Sequence, residues 1–126
     1  MKIIETKNAP AAIGSYSQAI KVGDLIYTSG QIPIVPSSGA IEATDLEGQT
    51  KQAIENLSAV LNAAESDLTS VIKTTCFLSD IRHFAAFNEV YSRYFTGKPA
   101  RSCVEVSNLP KGALVEIEAI AACKPQ

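Results

Sequence analysis

Residues 114–123, LVEIEAIAAC, constrain the fold more than any other stretch. On a strand, alternate residues share a face. Val115, Ile117, Ala119 and Ala121 then make one wholly apolar face. Leu114, Glu116, Glu118, Ile120 and Ala122 make a second face that mixes aliphatic side chains with two carboxylates. The first face belongs in a core. The second forgoes about 25 cal/mol for every Å2 of apolar surface left in water. How much further material the chain has to cover it decides the architecture.

The helical material is limited. Leu46, Ala53, Ile54, Leu57, Val60, Leu61 and Ala64 recur at helical spacing. Thr44-Asp45-Leu46-Glu47 before them fits a capping box. With no Gly at its end, this helix is expected to stop less specifically at Glu65-Ser66-Asp67. A second helix is predicted over 80–95, with Asp80 as its cap and an aromatic stripe of Phe84, Phe87, Tyr91, Tyr94 and Phe95 read as core. Thr96-Gly97-Lys98-Pro99 terminates it, Gly supplying the left-handed turn and Pro forbidding continuation. Strands are predicted over 2–6, 17–22, 25–30, 70–80, 101–107 and 114–123, with Gly23-Asp24 as a two-residue hairpin turn. Residues 33–43 read as turn-rich chain that ends the first meander. The order β-β-β-α-β-α-β-β is that of an α+β fold of about six strands and two helices. Two helices cover one face of such a sheet and not both, so the mixed face is expected to pack against further copies of the chain.

A length of 126 residues suits one domain, 1–126, with its own core. Net charge is −2 and the eleven Lys and Arg residues are scattered, so no footprint for nucleic acid is expected. Cys76, Cys103 and Cys123 form an odd set without metal-ligand spacing, which predicts reduced thiols and a cytoplasmic setting. The segment MKIIETKNAP lacks the apolar run of a signal peptide, and no window approaches the roughly 18 apolar residues of a membrane span. One His and no clustered carboxylates give no metal site.

The segment PARSCVEV, residues 99–106, holds the candidate of most interest. Val104 and Val106 are expected on the core side, with Arg101, Cys103 and Glu105 on the other. Arg101 has two readings. It pairs with Glu105, Glu116 or Glu118 as a structural salt bridge, or it offers two parallel N–H donors to a substrate carboxylate. Pro99 fixes its approach, and small Ala100 and Ser102 leave room around it. Glu116 and Glu118 lie about 7 Å apart along their strand, and either one can act as a general base or as an ion-pair partner. Cys103 lacks a histidine partner, since His83, the only His, belongs to the first turn of the second helix and reads as a surface residue. Ser29-Gly30-Gln31 ends a strand where backbone can approach a ligand.

Taken together, NAPAAIGSYSQAI, YTSGQIP, FNEVYSRYF and PARSCVEVSNLPKGALVEIEAIA resemble the Rid (YjgF) family, in its archetypal branch of reactive intermediate deaminases. The likeness runs in order along nearly the whole chain. It implies a chorismate-mutase-like α+β fold and a homotrimer joined through its sheets, with active sites between subunits. The implied activity is hydrolysis of enamines and imines such as 2-aminoacrylate, 2-iminopropanoate and 2-iminobutanoate to 2-keto acids and ammonia, without cofactor or metal. Carried over residue by residue, Arg101 binds the substrate carboxylate, Glu116 holds or activates water, and Tyr16 assists it. Ser29, Gly30, Asn88 and Cys103 contact substrate, Cys103 through its backbone. Ser15 departs from the family's usual Pro before the Tyr, and the loop before Pro99 is shorter than in many relatives. A small-carboxylate sensor without catalysis, and an endoribonuclease or translation inhibitor, are the competing readings.

Overall fold

The computed structural model describes residues 1–124. In chain order its elements are β1 (Lys2–Ile4), β2 (Ala19–Val22), β3 (Leu25–Thr28), β4 (Ile34–Val35), β5 (Ala40–Ile41), α1 (Leu46–Ala63), β6 (Val71–Leu78), α2 (Phe84–Tyr94), β7 (Ala100–Glu105) and β8 (Val115–Ala122). Six strands form one sheet in the order β1-β2-β3-β8-β6-β7. Neighbours run antiparallel except β6 and β7, which are parallel and are joined through α2. A parallel pair needs such a crossover, whereas β2 and β3 need only the Gly23-Asp24 turn, where Gly23 takes φ +58°. Residues 33–43 do more than turn, because β4 and β5 pair as a separate two-stranded ribbon.

The β8 alternation holds. Val115, Ile117, Ala119 and Ala121 are buried while the residues between them are half-buried. Against the buried face α1 sets Ala53, Ile54, Leu57, Val60 and Leu61, all fully enclosed, and Phe87 of α2 completes this core. Burial of side chains of this size contributes about 1.5–3 kcal/mol each, which is what holds an 18-residue helix on the sheet.

Both helix starts differ from the expected ones. The capping box does not form: Asp45, not Thr44, is the N-cap of α1, and its side chain makes no capping hydrogen bond. Asp80 accepts from the Arg82 amide at 2.9 Å but caps a single 3-10 turn, Ile81–His83, so that α2 proper begins at Phe84. The helix ends place their left-handed residues without glycine. Glu65, at φ +64°, closes α1 as the Ser66 amide donates back to Leu61 O at 2.9 Å. After α2 the positive φ falls on Lys98 (+53°), not on Gly97.

The largest correction concerns β7. Its parallel register sets Arg101 beside Thr74, Cys103 beside Cys76 and Glu105 beside Leu78, and those three β6 residues are buried under the helices. Arg101, Cys103 and Glu105 therefore lie on the helix face, and Val104, 44% exposed, lies on the open one. That open face carries an apolar row of paired residues, Ile3, Ile20, Tyr27 and Ile120, of which Ile3 and Tyr27 are exposed in the single chain.

Candidate active site

Arg101 stands on β7, the edge strand of the sheet. The Val106 amide donates to Leu78 O at 2.9 Å, so alternation turns the amides of Arg101 and Cys103 away from β6 toward the open edge. The Arg101 guanidinium reaches α2, where Nη1 donates to Asn88 Oδ1 at 2.7 Å. Beneath it the Tyr91 hydroxyl is hydrogen-bonded to Thr74 Oγ1 at 2.7 Å, both residues buried. No ion pair among the described residues includes Arg101, so the salt bridges to Glu105, Glu116 or Glu118 considered for it do not form. Glu105 instead accepts from the Ile81 amide at 2.9 Å. Cys103 is half-buried, and burial pushes its thiol up while the Arg101 cation pulls the other way. Cys76 beside it is pushed up to about 12 by burial. At neutral pH both stay thiols, which suits a Cys103 that acts through its backbone and not as a nucleophile.

Glu116 belongs to a second group. The segment after β3 lies against β8 through two backbone hydrogen bonds, Gln31 N to Ile117 O at 2.8 Å and Ile117 N to Gln31 O at 3.1 Å. This brings Gly30 under the Glu116 side chain so closely that a Cβ at residue 30 would coincide with the carboxylate. A side chain at residue 30 would have to push the Glu116 carboxylate aside, a constraint of space and not of φ. Burial raises the Glu116 pKa above the ordinary carboxylate range, and the Glu118 charge adds to the rise. Ser29 Oγ donates to Ser17 O at 2.6 Å and the Ser29 amide donates to Gln18 O at 2.9 Å, which fixes the strand end against the chain just after Tyr16. The Tyr16 hydroxyl accepts from the Ile13 amide at 3.3 Å, and its ring is 54% exposed.

The seven sequence-predicted residues therefore fall into two clusters: Arg101, Asn88 and Cys103 on the helix face at the β7 edge, and Glu116, Gly30 and Ser29 around β8 and the end of β3, with Tyr16 joined to the second only through the chain, one residue before the Ser17 that accepts from Ser29. The rows of paired residues make the separation explicit. Arg101 is level with Thr74 and Ala119, Glu116 with Phe77. The two residues are two strands and three residues apart, on the order of 14 Å, and they point to opposite faces of the sheet. Clefts of about 520 Å3 and 820 Å3 on the chain are lined by neither residue, the larger one bordering Tyr16. Sequence reasoning missed the tie of Gln31 to β8 and the role of two rings of the aromatic stripe, Phe84 and Tyr91, beside the guanidinium. The spacing of Phe84, Asn88 and Tyr91, four residues and then three, was the available signal.

A sheet layered on one face by two helices, with an edge-strand arginine that has no ion pair among the described residues, defines the class as α+β, and comparison with known proteins narrows it. Residues 6–123 match the family model described as Endoribonuclease L-PSP. A RutC family protein of Pyrococcus horikoshii is 54% identical over 121 residues, covering 95% of this chain and 96% of the relative. The 2-iminobutanoate/2-iminopropanoate deaminase of Rattus norvegicus is 50% identical over 125 residues, covering 98% and 91%. Among solved structures, E. coli TdcF with bound serine superposes with a TM-score of 0.93 at 44% identity, covering 98% of this chain and 100% of that one. The chain belongs to the Endoribonuclease L-PSP (YjgF/Rid) family. No helix among the described residues is long and apolar enough to cross a membrane.

Proposed function

We propose that the chain is an imine deaminase, hydrolysing 2-iminopropanoate and 2-iminobutanoate, and their enamine tautomers such as 2-aminoacrylate, to 2-keto acids and ammonia. The observation that carries the reading is Arg101, a half-buried guanidinium at a strand edge with a neutral amide as its only hydrogen-bond partner among the described residues. Such a group keeps its charge for an incoming carboxylate, which it meets with two parallel N–H donors. The rat relative carries the name of this activity, and TdcF was solved with serine, itself a small carboxylate.

The chemistry asks little of the protein. An imine carbon is already electrophilic, and protonation of its nitrogen makes it more so. Held by its carboxylate, the substrate needs a placed water and a group to move protons. Glu116 takes a proton from the water as its oxygen bonds to C2. That proton passes to nitrogen, giving a carbinolamine; its hydroxyl then yields the remaining proton through Glu116 to the nitrogen as the oxygen electrons form the carbonyl, the C–N bond breaks, and ammonia leaves. Tyr16 orders the water. Because Arg101 and Glu116 lie on opposite faces of one chain, a complete site takes its Arg101 cluster from one copy and its Glu116 cluster from a neighbour. The homotrimer formed through the open face provides that arrangement, covering Ile3, Tyr27 and Ile120 at the same time.

The test is keto-acid release from freshly generated 2-aminoacrylate, with and without the protein. A rate equal to the blank rejects the deaminase reading. The family description raises RNA cleavage as a second activity. Phosphate neutralisation drives RNA binding, and a net charge of −2 disfavours it. An RNA digestion assay across a salt series separates the two.

A further inference from the structure

Phe84, Asn88 and Tyr91 project from one face of α2, and all three meet Arg101. Asn88 takes one fork nitrogen. The guanidinium carbon lies 5.3 Å from the Phe84 ring centroid and 4.7 Å from that of Tyr91, within the range of a cation–π contact. The two rings differ in their support. Tyr91 is buried, stacks on Phe95 at 4.2 Å and is hydrogen-bonded to Thr74. Phe84, the first residue of α2, is 37% exposed and stands outside the buried core cluster, with its ring against the Arg101 cation. A large apolar ring left that open is not explained by the core.

We propose that Phe84 and Tyr91 are positioning residues that hold the Arg101 guanidinium by their π faces and thereby leave its charge free for a substrate carboxylate. A carboxylate in their place would orient the fork equally well but would occupy the donors that substrate needs. An aromatic face attracts the cation without accepting its in-plane N–H groups. The rings therefore lower the cost of ordering a long, flexible side chain before substrate arrives. They touch the arginine and act through it.

This inference rests on the carboxylate-binding role proposed for Arg101, and the experiment separates the two. Pyruvate, which the enzyme cannot turn over as an imine, serves as the binding probe by calorimetry, and turnover is followed with freshly generated 2-aminoacrylate. Phe84→Leu keeps apolar bulk and removes the ring. Its pyruvate Kd and its KM are expected to rise about tenfold with kcat little changed, and Phe84→Tyr is expected to restore both. Phe84→Glu is expected to weaken pyruvate further than Leu does, because an internal carboxylate competes for the fork. Phe84→Met, also without a ring, repeats the reading should the Leu variant fail to fold. Kd and KM of the ringless variants within twofold of wild type overturn the proposal, as does a Glu variant that binds pyruvate as well as the Leu variant. Weakened pyruvate binding in the ringless variants of a protein that hydrolyses no imine supports the cradle and rejects the deaminase. Normal turnover that ignores Phe84 does the reverse.

Discussion

The Arg101 and Glu116 regions carry the two charges that matter most, and the fold handles them in opposite ways. Around Arg101 the contacts come from side chains: one hydrogen bond and two rings from α2, the Cys103 thiol of its own strand, and a buried Tyr91–Thr74 pair underneath. Around Glu116 the determinant is backbone: a bridge from Gln31 to Ile117 and a glycine that leaves the carboxylate its space. One charge is gripped and the other is accommodated. A gripped cation binds with fixed geometry, while an accommodated carboxylate with a raised pKa is suited to exchanging protons. On the proposed function, each region supplies one half of a site.

The sharpest test of that division is Arg101→Ala. Loss of the charged fork is expected to lower kcat/KM for imine hydrolysis about a thousandfold, with the far-UV spectrum unchanged. If each site draws its two halves from different copies, as proposed, Arg101→Ala and Glu116→Gln chains unfolded and refolded together are expected to recover about a quarter of wild-type activity. Recovery of none would place both halves in one chain and break the comparison. Gly30→Ala attacks the other half. The new methyl displaces the Glu116 carboxylate, so kcat is expected to fall about 10- to 100-fold while pyruvate affinity, which belongs to the Arg101 half, stays within about twofold. A matching loss of pyruvate affinity would show the halves to be coupled.

Stability should separate the regions as well. Thr74→Val leaves the buried Tyr91 hydroxyl without its partner and is expected to cost about 1–3 kcal/mol in denaturant unfolding. Glu118→Gln on the half-exposed face is expected to change it by less than about 0.5 kcal/mol. The smallest effect is one of pH. The Glu116 pKa is raised on folding, so its contribution is most favourable below the ordinary carboxylate range and is lost as pH rises through the raised value. Glu116→Gln should therefore melt like wild type near pH 4 and slightly above it at pH 7. A difference that grows toward low pH would reverse the sign and with it the account of why the pKa is raised. The same ionisation predicts a rate of hydrolysis that climbs with pH through that value.

Much of this was legible in the residues. The β8 alternation, the two helices and the six main strands follow from periodicity, and the sequence motifs pointed to the family that the comparisons confirm. What escaped is instructive. The phase of β7 was assigned from its valines, on the premise that Val104 seeks the core. On an edge strand that premise is weak, because part of the strand lies beyond the helices and its face is dictated by the neighbour it pairs with. The short ribbon β4–β5 and the left-handed Glu65 and Lys98 carry no compositional mark either, since turn propensity says where chain reverses and not which backbone angles result. Grouping seven candidate residues into two clusters needed the register of three strands at once.

By itself the sequence determined the two helices and the six strands of the main sheet, which face of β8 is apolar, and which residues carry charge fit for carboxylate chemistry. Alternation along a strand is a local property, so it fixes relative faces from sequence alone. The tertiary structure decided which absolute face Arg101 takes. That depends on the parallel register with β6, which sets Arg101 beside Thr74, a residue paired with Ala119 on the buried face of β8. No residue of β7 encodes that register, and with it came the separation of Arg101 from Glu116, which lies level with Phe77 on the other face.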